Sequence, residues 1–131
     1  MTGLANCSAL IIEDNPGDTK VLQSLLNRIG VAHLTLDPHN ILGGLSEAPV
    51  PDVIFLDLEM PEMNGYEVLA ELQASPDFQG VPVVAYTSHT SQMAAAREAG
   101  FHSFLGKPLV SGEFAKQLEE IINGGSVWEV R

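Results

Sequence analysis

Asp52-Val53-Ile54-Phe55-Leu56-Asp57 is the stretch that decides the fold. Its continuous apolar run between two acids suits a β-strand covered on both faces, which places it at the centre of a sheet. Working outward, short apolar or β-branched runs alternate with segments of helical period. Upstream, Ala9-Leu10-Ile11-Ile12 reads as a buried strand, and beyond Pro16-Gly17 the residues Val21, Leu22, Leu25, Leu26 and Ile29 recur at helical spacing until Gly30. Val31 to Leu36 reads as a second strand, and the stretch after it, with Pro38 and Gly43-Gly44, as a helix of poor intrinsic propensity. Downstream, Asn64-Gly65 opens a helix with Tyr66, Val68, Leu69 and Leu72 on one stripe, ended near Ser75-Pro76. Val81 to Tyr86 is a fourth strand, Ser91 to Ala99 an Ala-rich helix closed by Gly100, and Phe101 to Gly106 a fifth strand. A last helix, starting after Ser111 as its N-cap, carries Phe114, Leu118, Ile121 and Ile122 and stops at Asn123-Gly124.

Strands joined by crossover helices run parallel, and right-handed crossovers put helices on both faces. The expectation is therefore an α/β domain with a doubly wound, five-stranded parallel sheet. It spans residues 8–123, between an N-terminal tail over 1–7 and a C-terminal tail over 124–131. A chain of 131 residues, 45% of them apolar, has room for one such unit. Seventeen carboxylates against six Lys and Arg give a formal charge of −11, which repels nucleic-acid phosphates and anionic membrane surfaces. The single cysteine, Cys7, cannot form an internal disulfide, and the first residues do not read as a secretory leader, so a cytoplasmic setting is expected. No apolar run is long enough to span a bilayer.

In doubly wound sheets the chemistry collects at the carboxyl ends of the strands. Here the first strand ends in Glu13-Asp14, the third in Asp57, the fourth in Thr87-Ser88 and the fifth in Lys107-Pro108. If the first and third strands are neighbours, three carboxylates crowd together, and each pair at about 4 Å repels by about 4 kcal/mol at an effective dielectric near 20. A hard divalent cation such as Mg²⁺ (or Mn²⁺) relieves that repulsion through oxygen ligands, and Lys107 supplies a further positive charge. Asp57 is then a carboxylate placed to attack phosphorus. The charge on the phosphoryl oxygens would be met by the cation, Lys107, the Thr87 hydroxyl and backbone N–H groups just after it. Taken one at a time, each residue also has a plainer reading. A strand-end acid such as Asp14 can be a turn residue or a helix N-cap, Thr87 can bond nearby backbone, and Lys107 can be a surface lysine. Their joint arrival at one sheet edge favours the functional reading.

With those residues in place, the sequence resembles the response-regulator receiver domain of two-component signalling, a CheY-like, flavodoxin-like (βα)5 family. The resemblance rests on Ala9 to Asp14 with Asn15-Pro16, on Asp57-Leu58-Glu59-Met60-Pro61-Glu62-Met63-Asn64-Gly65, on Thr87 and on Lys107-Pro108. It runs from about Ser8 to about Asn123. It implies that Asp57 accepts a phosphoryl group from a sensor histidine kinase or a histidine phosphotransfer protein. It also implies that Asp14, Asp57 and the backbone carbonyl of Glu59 bind Mg²⁺ directly, while Glu13 acts through a water. Thr87 would be drawn to the phosphoryl oxygen, Ser88 would offer its N–H, and Lys107 would pair with Asp57 or the phosphate. Phe104 would turn inward when Thr87 moves. A cis Lys107-Pro108 peptide is expected from the same likeness.

Glu59 and His89, each two residues beyond Asp57 and Thr87, stand where the family lines the mouth of the phosphoryl site. They are candidates for tuning the lifetime of the phosphoryl group, or else are solvated loop side chains. His33, His39 and His102 show no ligand spacing and are given no role. Trp128, after Gly124-Gly125, is expected to fold back on the domain. A stand-alone switch would signal by surface contact, around His89 to Ala99, Phe104 and Glu113 to Ile122, to an unknown downstream protein. Two other functions compete. One is a degenerate receiver acting as an unphosphorylated interaction module, which Ser88, Phe104 and Gly106 keep open because they depart from the family pattern. The other is a phosphatase with an aspartate nucleophile, which is disfavoured because Glu59 stands where that class has its general-acid aspartate. Otherwise the chain is expected not to be an enzyme beyond its own phosphorylation and dephosphorylation.

Overall fold

The structure is a computed structural model that describes residue 4 and residues 6–13, 15–36, 50–58 and 64–129. The weak helix expected after Leu36, the metal-site candidates Asp14 and Glu59, and His39 lie outside the described residues. Among the described residues six strands form one sheet in the order β2-β1-β3-β4-β5-β6, every neighbouring pair parallel. They are β1 (Ser8–Ile12), β2 (Ala32–Leu36), β3 (Val53–Asp57), β4 (Val83–Thr87), β5 (Ser103–Gly106) and β6 (Trp128–Glu129). The described α-helices are α1 (Pro16–Arg28), α2 (Gly65–Ala74), α3 (Met93–Ala99) and α4 (Ser111–Ile122). None is long and apolar enough to cross a membrane.

The doubly wound parallel class is as expected, and β3 lies in the interior of the sheet with all five residues buried. Its alternation sorts the core into two layers. Ile54 and Leu56 pack with Leu10, Ile12, Ala85 and Phe104 beneath α2 and α3. Val53 and Phe55 pack with Ala9, Ile11, Val84, Tyr86 and Leu105 beneath α1 and α4. Because side chains alternate along a strand, Asp57 at the end of β3 continues the Val53 and Phe55 series.

The sequence reading differs from the structure in specific places. The sheet has a sixth strand where five were expected: the fold-back of Trp128 is regular pairing, with Phe104 N–H donating to the Val127 carbonyl and Arg97 stacked 4.3 Å over the Trp128 ring. Thr87 completes β4, and Val81-Pro82 precede it. Ser111 is the first helical residue of α4, not its cap; Val110 holds that place without a side-chain bond. A 3₁₀ turn over Thr90–Gln92 takes up the start expected for the Ala-rich helix. Val21, counted in the apolar stripe of α1, is 50% exposed, while Leu22, Leu25 and Leu26 are buried.

Two glycines have a steric cause. Gly100 closes α3 at φ 107°, a left-handed value that costs other residues steric strain. Gly65 opens α2 against the end of β3, where a Cβ would meet Leu58 Cδ2 at 2.7 Å.

Candidate functional site

The carboxyl end of the sheet gathers residues from four strands and one helix. Glu13 follows β1, Asp57 ends β3, Tyr86 and Thr87 end β4, and Lys107 follows β5. Asp57 and Glu13 are only 1% and 3% exposed. Glu13, Asp57 and Asp18 each offer a carboxylate oxygen within 4.8 Å of the others. Asp18 comes from the first turn of α1, which is started by Pro16 and capped by Asn15, whose Oδ1 accepts the Asp18 N–H at 3.1 Å.

Lys107 stands among these acids instead of on the surface. Its ammonium donates to Asp18 Oδ2 at 2.6 Å and to Asp57 Oδ1 at 3.2 Å, and lies 3.8 Å from Glu13 Oε1. The Lys107-Pro108 peptide that follows β5 is cis. Burial alone would lower the lysine pKa, but the hydrogen bond to Asp18 and the charges of Asp57 and Glu13 overcome it and hold the ammonium above its usual range. Glu13 shows the opposite outcome. Burial, then its contact with Asp57, pushes its pKa up to about 8, although Tyr86 and Lys107 act against the shift. Burial and the neighbouring Asp57 thus favour the protonated form of Glu13.

Tyr86 is 1% exposed and reaches the same cluster from the α1 and α4 side of β4. Its hydroxyl donates to Glu13 Oε1, and its ring lies 4.8 Å beneath the Lys107 ammonium. Burial and the Glu13 charge hold the phenol far above its normal pKa, so it remains a donor. Thr87, fully buried, points to the other layer with Ala85; its hydroxyl accepts the His89 N–H at 3.1 Å. Ser88 and His89 are exposed, and Ser88 lines an open cleft of about 280 Å³ together with Asp18, Val21, Tyr86, Lys107 and Pro108. Phe104 is fully buried beside Ala85.

The site therefore unites Glu13, Asp57 and Lys107, with Thr87 and Ser88 at the neighbouring strand end. It also contains Asp18 and Tyr86, which the sequence reading did not single out. An acid in the first turn of a helix reads as an ordinary partner of the helix dipole, and a tyrosine in a buried strand reads as core. The available signal was positional: both lie within a few residues of strand ends already chosen for chemistry.

Carboxylate oxygens gathered within 4.8 Å of one another at a buried strand edge fit a hard divalent cation. Comparison with known proteins agrees with that fit. Sensor histidine kinase CheAY of Helicobacter pylori is 32% identical over 111 residues, 80% of this chain and 13% of that protein. Response regulator Rcp1 of Synechocystis sp. is 30% identical over 109 residues, 75% of this chain and 74% of that protein. The chain thus spans a small part of one relative and most of the other. Among solved structures, the receiver domain of a sensor histidine kinase from Pseudomonas aeruginosa PAO1, with a magnesium ion coordinated in its active-site cleft, aligns with a TM-score of 0.78 at 26% identity. That alignment covers 92% of this chain and 100% of the other. The model of the response regulator receiver domain matches residues 9–119, so this chain belongs to the receiver-domain family of two-component signalling.

Proposed function

We propose that the chain is a phospho-accepting switch whose acceptor is Asp57. The observation that carries this reading is a carboxylate 1% exposed at the end of the interior strand β3, with the Lys107 ammonium 3.2 Å away. An Asp57 carboxylate oxygen forms the new P–O bond. The P–N bond of a phosphohistidine donor breaks at the same time, and the imidazole leaves with the electron pair and takes a proton from solvent. With an acyl phosphate as donor, a P–O bond breaks and the carboxylate leaves. Glu13, Asp14, Asp57 and the Glu59 carbonyl would hold Mg²⁺ (or Mn²⁺), and when bound it supplies positive charge to the phosphoryl oxygens. Lys107 meets the same charge from its side, and the Thr87 hydroxyl and Ser88 N–H supply hydrogen-bond donors at the end of β4. Glu59 and His89 tune the lifetime of the product.

The donor is a sensor histidine kinase or a histidine phosphotransfer protein, met in the cytoplasm. The output is a change of surface over α3, β5 and α4 that a partner protein reads. The chain is its own acceptor and does not turn over other substrates. Incubation with Mg²⁺ and acetyl phosphate, followed by intact mass, is expected to show one labile phosphoryl adduct, absent in Asp57→Asn. No adduct on the wild type would overturn the reading in favour of an unphosphorylated interaction module. Multiple turnover of a small phosphate ester would overturn it in favour of a phosphatase.

A further inference from the structure

We propose that Asp18 is a positioning residue that holds the Lys107 ammonium in the unphosphorylated protein and yields it to the phosphoryl group on Asp57. The inference rests on the phospho-acceptor reading of Asp57. Lys107 Nζ stands closer to Asp18 Oδ2, at 2.6 Å, than to Asp57 Oδ1, at 3.2 Å. The lysine therefore has a competing carboxylate partner that belongs to a different element, the first turn of α1.

The two partners differ in environment. The Asp18 side chain is 41% exposed, so water screens its pull on the ammonium, whereas Asp57 is 1% exposed and is screened little. Before phosphorylation the buried carboxylate carries a single charge and shares the lysine. Phosphorylation replaces that charge with nearly two, spread over phosphoryl oxygens in a poorly screened site. Lysine, a point charge on a flexible stem with three donors, can follow the stronger field. The exchange breaks a contact between residues 89 positions apart and frees the first turn of α1 from the β5 end of the sheet. Asp18 thus acts as a brake on phosphorylation and as the link that reports it to α1.

The geometry gives Asp18 a short reach. Its backbone N–H is fixed by the Asn15 cap, and the following turn is tied by Thr19 N–H and Oγ1 to the Asn15 carbonyl at 3.0 and 2.9 Å. Glutamate at this position keeps the charge and can still meet the lysine, while asparagine keeps the shape and loses the charge.

The experiment compares wild type, Asp18→Asn and Asp18→Glu in three measurements. They are the maximal rate of phosphorylation by acetyl phosphate with Mg²⁺, the affinity for Mg²⁺ by NMR titration, and amide shifts of residues 17–20 on adding beryllofluoride. Asp18→Asn is expected to raise the maximal rate threefold or more and to shrink the residue 17–20 shifts at least twofold, with Asp18→Glu restoring wild-type values. Equal rates and equal shifts in wild type and Asp18→Asn would overturn the inference while the wild-type adduct keeps the acceptor reading intact. A tenfold loss of Mg²⁺ affinity in Asp18→Asn with no gain in rate would overturn it too, since Asp18 would then be acting on the cation. Absence of the adduct in wild type is the separate failure of the acceptor reading.

Discussion

The two ends of this sheet handle buried polar groups in opposite ways. At the amino end, Ser103 is fully buried and its hydroxyl oxygen accepts the Val127 N–H at 3.0 Å, with His102 Nδ1 also 3.0 Å away. Asp52 stays exposed and accepts the Ser8 N–H at 2.8 Å. Polar groups there are spent on tying backbone. At the carboxyl end, Glu13 and Asp57 are buried against each other, with Asp18 beside them and Lys107 among all three. Carboxylates brought together in this way raise each other's energy unless a cation or proton intervenes. The amino end is organised for stability; the carboxyl end crowds acids around one ammonium, the arrangement on which the proposed phospho-acceptor role rests.

The contrast predicts where substitutions bite. The largest effect is expected from Lys107→Ala, which removes the ammonium from the carboxyl end: phosphorylation by acetyl phosphate should fall by about 10²- to 10³-fold, the scale for losing one preorganised charge-stabilising group. A loss under about threefold, followed by intact mass over time, would break the comparison. Next comes pH. Glu13 has its pKa raised from 4.5 in the unfolded chain to about 8 in the fold. Its stabilising contribution is thus fully present below about pH 4.5 and is lost as pH rises through about 8. In metal-free buffer, urea midpoints of wild type should therefore fall relative to Glu13→Gln between pH 5 and 9, and added Mg²⁺ should flatten the difference. Parallel pH profiles for the two proteins would show that Glu13 takes up no extra proton on folding.

A smaller effect belongs to Tyr86→Phe. Loss of the hydroxyl that donates to Glu13 should cost about 1 to 3 kcal/mol in metal-free denaturation, the range for a buried acceptor left short of a donor. The smallest is at the other end of the sheet. Ser103→Ala should cost about 1 kcal/mol through the lost Val127 bond and leave the phosphorylation rate unchanged, read by denaturation and mass respectively. A changed rate in Ser103→Ala would show that the two ends are coupled.

Much of this arrangement is legible in the sequence. The run Val53 to Leu56 identified an interior strand, and a parallel order followed from alternation with helices. Strand-end placement then singled out Glu13, Asp57, Thr87 and Lys107. Three departures share one cause, which is that local pattern carries no information about distant packing. Trp128-Glu129 is too short for a periodicity signal, yet the exposed edge of β5 offers it backbone partners. Ser111 looks like a cap by residue type, but the path after Pro108 makes Val110 the last non-helical residue. Val21 fits the apolar stripe of α1 by spacing and faces the cleft beside Lys107 instead.

The sequence alone determined the parallel doubly wound class and the set of chemically able residues at strand ends, because alternation and strand-end position are properties of short stretches. Only the tertiary structure decided that Asp18 meets Lys107 across 89 positions and that Tyr86 meets Glu13 across 73. Such approaches depend on how helix and strand ends pack in space, and a side chain's neighbours at that range are set by the folded backbone and not by its own residue type.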